Sequence, residues 1–481
     1  MLWVALRFPR LALEALSRGR VPPESERMPR AVADSGRVIA CDPQAETFGV
    51  RPGMGLAAAW AFAPQLCVWP YNQAAERAAL EGVAAWMCQF TPRVSLQPPQ
   101  GVLAETEGSL RLFRGAAALL ERIRDGVDQM GFSAISAAAP TARGAWWLAG
   151  AGREVLVPDR AALEAALAAL PVAVACDGPD ALGLLRDIGV TTIGELHGLP
   201  REGVARRFGQ ALLNGLEQAL GNAPEPRDFF MPPARFDAQL DLPGEVTHAE
   251  GVLFAARRLL VQLEGLLAAR QAGVRRFLLV LLHREARPSA LEVGLASPGR
   301  ETERFVQLLR ERLAVHALIE PVEAIRIEAK DFVPLHGRTV DLFGGAQSGG
   351  EEGWARLIER LRARLGGAAV HGLGLHPEHR PERAWRSLAP GERPSPGGAG
   401  TGARPLWLLE PPRRLKEKKG VPHDGGPLEL LAGPERIESG WWDGGEIARD
   451  YFIARAPSAA LLWVYRERGT AGAWYLHGVF A

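Results

Sequence analysis

Over the first 140 residues, short apolar runs alternate with stretches of helical period. Leu2–Leu6 reads as a buried strand, Leu11–Leu16 as a helix, Val38–Ala40 as a second strand and Gln44–Phe48 as a helix ending at Gly49. A turn at Arg51–Gly55 leads into an Ala-rich helix to Ala63, and Val68–Trp69 is a further strand. Residues Gln73–Gln89 bring Leu80, Val83, Ala84 and Met87 to one face of a long amphipathic helix. Strands at Val102–Glu105 and Ser109–Phe113 flank a turn at Glu107-Gly108; a helix at Ala116–Met130 and a strand at Ser133–Ala139 complete an α+β sheet domain.

The texture then changes. Leu182–Gly221 predicts three or four short helices punctuated by Gly189, Pro200 and Gly209, and Pro224–Pro233 is a proline-rich linker. From Phe236 to Lys330 the order is strand (Phe236–Leu242), helix (Ala249–Ala269), strand (Val274–His283), strand (Ala290–Leu295), helix (Thr302–Val315), strand (Ile325–Glu328), which fits a split β-α-β module. Gly344-Gly345 and Gly349-Gly350 lead to a helix at Glu351–Leu365, and Pro390–Ala403 is rich enough in Pro and Gly to be flexible. Pro427–Ala481 carries Trp441, Trp442, Trp463 and Trp474 in β-like runs and predicts a small β-rich module with an exposed aromatic surface.

With 481 residues the chain is long enough for three to five domains, and its 47% hydrophobic and 23% charged residues exclude a mostly disordered polymer. The net charge of +1 gives no global field for a polyanion, so any nucleic acid must be gripped locally. Lys330, Lys416, Lys418 and Lys419 are the only lysines, leaving residues 1–329 without one for phosphate or Schiff-base chemistry. Cys41, Cys67, Cys88 and Cys176 fit neither a disulfide framework nor a zinc knuckle. With no secretory leader pattern and no apolar run of membrane-spanning length, they predict a cytoplasmic protein.

Leu185-Arg186-Asp187-Ile188-Gly189-Val190-Thr191-Thr192-Ile193-Gly194-Glu195-Leu196 follows a helix-hairpin-helix pattern, whose turn at Ile188, Gly189 and Val190 would offer backbone N–H groups to a DNA phosphate. Around this motif, the order of parts over residues 1–335 resembles the Y-family translesion DNA polymerases. The resemblance implies a palm (1–13 and 66–165), fingers (14–65), a helix-hairpin-helix thumb (166–230) and a split β-α-β little finger (236–335). These are followed by a linker region with one helix (336–425) and a Trp-rich partner-binding module (426–481). Phe48-Gly49-Val50-Arg51-Pro52-Gly53-Met54 follows the family's fingers segment, and Phe90-Thr91-Pro92-Arg93-Val94 resembles the stretch before its catalytic turn.

The chemistry residues of that family are replaced at the matching positions. Nucleotidyl transfer needs two metal ions held by carboxylates. The amino-terminal carboxylate pair falls on Arg7 and Pro9, and the Asp-Glu of the catalytic turn on Gln100 and Gly101. An arginine repels a divalent cation outright. The fingers Tyr and Arg that meet the triphosphate become Pro43 and Glu46, and the palm lysines fall on Ala142 and Trp146. Glu105 and Glu107, alternating with Thr106, read as a solvated strand edge.

A polymerase fold with these losses resembles the ImuB subgroup, as do Arg404-Pro405-Leu406-Trp407-Leu408-Leu409, Gly433–Gly444 and Trp474-Tyr475-Leu476-His477-Gly478 near the carboxy terminus. The resemblance implies a non-catalytic adaptor that joins the sliding clamp, a RecA-like partner (ImuA) and an error-prone C-family polymerase at damaged DNA. It implies no cofactor. Thr339-Val340-Asp341-Leu342-Phe343 resembles a clamp-binding peptide, with Thr339 where Gln is usual; Pro405-Leu406-Trp407-Leu408 is a second candidate. Trp441, Trp442, Trp463 and Trp474 are candidates for partner binding.

His371, His376 and His379 read as loop residues and not as a metal site, and Arg413–Lys419 reads as a solvated basic linker. Residues 236–335 hold 13 basic against 14 acidic side chains, so DNA binding should be weak and backbone-directed, through Arg206, Arg207, Arg275 and Arg276. The competing readings are an active, divergent polymerase that uses other carboxylates, and a plain DNA-binding protein that uses only the thumb hairpin.

Overall fold

The computed structural model describes residues 1–19, 28–176, 178–318, 320–335, 347–389, 392, 403–469 and 472–480. They form two compact units, Met1–Arg364 and Leu365–Ala481.

In the first unit, β1 (Trp3–Arg7) and α1 (Leu11–Ser17) precede a small lobe of β2 (Arg30–Asp34), β3 (Arg37–Cys41), α2 (Pro43–Thr47), α3 (Leu56–Phe62) and β4 (Cys67–Pro70). Asp42 caps α2 by accepting the Ala45 N–H at 2.8 Å, with Pro43 at the first helical position. The chain returns through α4 (Gln73–Met87), β5 (Val94–Gln97), β6 (Gly101–Glu105), α5 (Ala116–Gln129), β7 (Ile135–Ala139) and α6 (Ala142–Gly150). These strands make an antiparallel palm-like sheet in the order β5-β6-β1-β7. Successive side chains of β1 point to opposite faces. Val4 and Leu6 pack with α4 and α5, whereas Trp3 and Ala5 join the core beneath α6. That two-sided burial is why Leu2–Leu6 is a continuous apolar run. Ser109–Phe113, expected as a strand, is instead a run of turns after Glu107–Ser109, because the β6 ladder ends at Glu105.

A thumb-like helical group follows: α7 (Arg160–Ala168), α8 (Pro179–Asp187), α9 (Ile193–His197), α10 (Arg201–Phe208) and α11 (Gln210–Leu220). Leu185, Ile193, Leu196 and Leu216 share one core with the α6 side of the sheet. The split β-α-β lobe comprises β8 (Phe236–Val246), α12 (Ala249–Ala269), β9 (Ala272–Leu282), β10 (Ser289–Gly299), α13 (Thr302–Val315), β11 (Val322–Ala329) and β12 (Phe332–Pro334). Its sheet order is β10-β9-β11-β8, with β12 on β9. Helix α12 is buried on both sides, between this sheet and α4. A Cβ at Gly265 would lie 2.3 Å from the Trp86 ring, so only glycine permits that approach. Helix α14 (Gln347–Leu365) closes the unit.

The second unit holds the hairpin β13 (Gly372–Leu375) and β14 (Trp385–Leu388), then β15 (Trp407–Arg414), β16 (Lys416–Lys418), β17 (Val421–His423), β18 (Glu429–Ser439), β19 (Ile447–Arg455), β20 (Leu461–Glu467) and β21 (Trp474–Val479). Five of these form a sheet in the order β15-β21-β20-β19-β18. The basic run Arg413–Lys419 is therefore sheet and hairpin and not a linker, and Arg413 pairs with Asp424 at 2.7 Å. Among the described residues no helix is long and apolar enough to cross a membrane.

Candidate functional site

Arg7 ends β1, opposite Gly101 in β6 and Ile135 in β7, and the Phe8 N–H donates to the Gln100 carbonyl at 2.8 Å. The antiparallel register thus brings Arg7, Gln100 and Gly101 to one end of the sheet. From α6, the Trp146 ring lies over this end. The Arg7 guanidinium sits 5.1 Å from its centroid, and a Cβ at Gly101 would meet the ring at 2.3 Å. No side chain fits at position 101 unless Trp146 moves. Burial lowers the pKa of Arg7. Ala142, one turn before Trp146, is buried in the α6 core.

Pro9 lies at a cavity of about 330 Å³ lined also by Arg10, Cys41, Glu46, Pro52 and Ser133–Ile135. Its Glu46 comes from α2, which Pro43 starts, and faces Arg10 at 3.7 Å. The Arg51 guanidinium donates to the carbonyls of Glu46 and Val50 at 2.7 and 2.9 Å. Sequence reading missed Arg10, the partner of the cavity's carboxylate; its nearness to Arg7 in the chain was the available signal.

The expected solvated edge holds for Glu107, which is exposed, and fails for Glu105. Glu105 is buried at the far end of β6, with one oxygen 3.2 Å from Arg93 and the other accepting the Glu107 N–H at 3.1 Å. Thr106 is fully buried, and its hydroxyl donates to the Leu2 carbonyl at 3.2 Å. Glu107 faces the amino terminus at 4.0 Å. Among the described residues no group of three His, Cys, Asp or Glu side chains is placed to hold a metal ion, and His371, His376 and His379 are all exposed.

The α8–α9 hairpin forms, with Gly189 at φ +81°. Its donors, however, are already paired: the Gly189 N–H with the Arg186 carbonyl and the Val190 N–H with the Leu185 carbonyl, both at 2.9 Å. Val190 is core and Ile188 is exposed. The Glu195 carboxylate accepts the Thr191 and Thr192 N–H groups at 2.7 and 2.9 Å, completing a capping box with Thr192. Those bonds lower its pKa. A fixed negative charge therefore occupies the N–H cradle where an anion would dock. This corrects the expectation that the turn presents free donors; the Thr192-x-x-Glu195 pattern was the signal.

Arg206 and Arg207, at the end of α10, are exposed and have no ion pair among the described residues. Arg275 and Arg276 are exposed on β9, with Arg276 paired to Asp331 at 3.2 Å. Nearby, Arg326 faces Asp237 at 3.8 Å and Lys330 meets Glu328 at 2.9 Å. The lobe neutralises most of its own cations.

In the second unit the four candidate tryptophans divide. Trp441 and Trp442 are 76% and 57% exposed, whereas Trp463 and Trp474 are 1% and 4% exposed and belong to the sheet's two cores. Trp463 stacks on Tyr451 at 4.1 Å, and the Tyr451 hydroxyl bonds to Nδ1 of His477 at 2.8 Å. This corrects the expectation that all four are available to a partner: both faces of the sheet are covered, so Trp463 is buried on one face and Trp474 on the other. The loop carrying Trp441 and Trp442, themselves edge-to-face at 5.4 Å, is anchored by Asp443. Arg380 donates to both Asp443 oxygens at 2.9 and 2.7 Å and also to Glu378 at 2.7 Å; its guanidinium is 5.7 Å from the Trp442 ring. These pairings hold the Glu378 and Asp443 carboxyls well below their usual range. Sequence reading missed Arg380, which is 61 residues or more from its loop and carries no local signal.

Of the clamp candidates, Thr339–Phe343 lies outside the described residues. Leu406 and Trp407 are strongly exposed, but Trp407 and Leu408 are paired in edge strand β15 with Val479 and Gly478. That candidate is a sheet edge and not a free peptide.

Residues 15–149 match the IMS family, described as impB/mucB/samB. Two curated proteins called Protein ImuB, from two strains of Caulobacter vibrioides, are each 29% identical to this chain over 463 residues, covering 90% of it and 100% of their own length. Among solved structures, an insertion ternary complex of Dbh DNA polymerase is 15% identical with a TM-score of 0.41, covering 69% of this chain and 100% of its own. The crystal structure of DinB from Sulfolobus solfataricus is 14% identical with a TM-score of 0.41, covering 70% and 100%.

Proposed function

We propose that this chain, an ImuB-type Y-family polymerase-like protein, works in DNA damage tolerance as a non-catalytic adaptor in the cytoplasm. In this reading it joins the sliding clamp, a RecA-like partner and an error-prone C-family polymerase at damaged DNA during induced mutagenesis. The observation that carries it is the closed end of the palm-like sheet. Arg7 lies on Trp146 and Trp146 lies on Gly101, so a cation and a ring fill the place that metal-binding carboxylates would need. A cation and a ring at that place oppose a divalent ion by charge and by volume, which supports the reading.

What remains is display. The anchored Trp441–Trp442 loop has the exposed aromatic character of an interface anchor. Thr339–Phe343 supplies the clamp peptide. DNA is held weakly through phosphate contacts from Arg206, Arg207 and Arg275, and this binding weakens with salt.

Pull-down of clamp, RecA-like partner and C-family polymerase by the full chain tests the reading. Leu342→Ala with Phe343→Ala should abolish clamp capture alone. Trp441→Ala with Trp442→Ala should weaken one of the other two by about tenfold or more. Retention of every partner by both variants would refute it.

A further inference from the structure

Helix α14 is docked with its sides reversed. Toward the split β-α-β lobe it presents Glu359, almost fully buried, which takes the Arg304 Nε–H at 3.0 Å and the Ala296 N–H at 2.8 Å, with buried Ala363 one turn on. At about 100° per residue, Trp354, Leu357 and Leu361 project from the opposite side. They are 64%, 45% and 37% exposed. An ordinary surface helix does the reverse, burying its apolar stripe and leaving carboxylates in water. Here an ion pair on the back of the helix holds the stripe outward.

The borders of the stripe are basic. The four arginines of α14, Arg356, Arg360, Arg362 and Arg364, all lie in its last three turns, where Glu359 is the one carboxylate and is engaged by Arg304; its other two, Glu351 and Glu352, precede Trp354 in the sequence. Arg360 pairs with Glu311 at 3.0 Å. Arg362 and Arg364, one on each border, have no ion pair among the described residues.

We propose that this face of α14 docks an acidic amphipathic segment of a partner protein. Its apolar anchors cover Trp354, Leu357 and Leu361, and its carboxylates meet Arg362 and Arg364, the helix-on-helix mode of peptide recognition. Nucleic acid would answer the arginines but not the leucines. The inference goes beyond the adaptor reading and does not rest on it.

The test uses the full chain and a fluorescein-labelled helical peptide of about 18 residues, with Leu on one face and Glu on its borders, beside a twin carrying Lys for Glu. Fluorescence anisotropy should show binding of the acidic peptide and not of its twin. Leu357→Ser with Leu361→Ser should weaken binding by about tenfold or more. Arg362→Glu with Arg364→Glu, at a half-buried and an exposed position, should invert the preference between the twins while an unchanged melting temperature shows that the fold is kept. No binding, equal binding of both twins, or indifference to these substitutions would overturn the proposal. So would capture of anionic phosphatidylserine vesicles in place of the peptide, or a full-chain dimer that the serine variant dissociates.

Discussion

Two of the arginine–tryptophan contacts, one taken from each unit, serve opposite ends. In the palm-like sheet, Trp146 lies on the backbone of Gly101 and Arg7 caps the ring, so both side chains close a surface. In the second unit, buried Arg380 grips Asp443 and lies 5.7 Å from Trp442, yet Trp442 and its neighbour Trp441 stay exposed. The difference comes from where the arginine's charge is answered. Arg7 has no carboxylate partner among the described residues and rests on a ring. Arg380 is answered by two carboxylates, which frees the tryptophans for display. The same residue types thus seal one site and present another.

The largest effect should come from opening the sealed site. Gly101→Val drives a side chain into Trp146 and should cost about 3 kcal/mol of stability by overpacking. With Trp146→Ala in the same chain, the loss should be smaller than the sum of the single losses, a coupling that denaturant unfolding would read. Strict additivity would mean that the ring does not seal the strand.

Next comes acid sensitivity in the second unit. Burial pushes His477 from 6.5 down to about 4, against the favourable pull of Glu382 at 3.8 Å. Unfolding releases an imidazole that binds a proton more readily. This stability is therefore full above about pH 6.5 and falls away toward pH 4. The loss should reach a few kcal/mol, because each tenfold difference in proton affinity between the folded and unfolded chain is worth about 1.4 kcal/mol. Calorimetric melts of the full chain across this window should lose part of their pH slope in His477→Phe; an unchanged slope would contradict the buried neutral imidazole.

The smallest global effect should be Arg380→Lys, which keeps the charge but loses the fork that meets both Asp443 oxygens. The melting temperature should hardly move. Amide exchange at Gly445, whose N–H donates to Asp443 at 3.0 Å, should accelerate. Unchanged exchange would mean that the loop is held by something other than Arg380.

Legibility followed burial. The spans of α12 and α13 matched the hydrophobic period to the residue, because α12 is buried on both sides and α13 lays one continuous apolar face, with Phe305, Leu308, Leu309 and Leu313, on the lobe's core. Strands β2, β5 and β12–β17 went unread: most have five residues or fewer or lie at a sheet edge, and Arg30, Pro334 and the Pro411-Pro412 pair are polar or proline-bearing, as such strands tolerate. At the sheet end, Arg7, Gln100 and Gly101 could be named only through the family resemblance, as the positions matching its metal-binding carboxylates; the register of β1 on β6 then brings them together. The same resemblance named Trp146 only as the place of a palm lysine; that its ring covers Gly101 depends on how α6 packs on the sheet. The Trp463 and Trp474 assignment failed for a related reason: aromatic content marks a β module without saying that both faces of its sheet are covered.

Primer extension probes the closed sheet end without intermediaries. With purified full chain, a primed template, all four nucleotides and Mg²⁺ or Mn²⁺, no extension above a no-protein control is expected. Extension that disappears in the Arg7→Ala variant would contradict this, because the closed sheet end would then be a working active site.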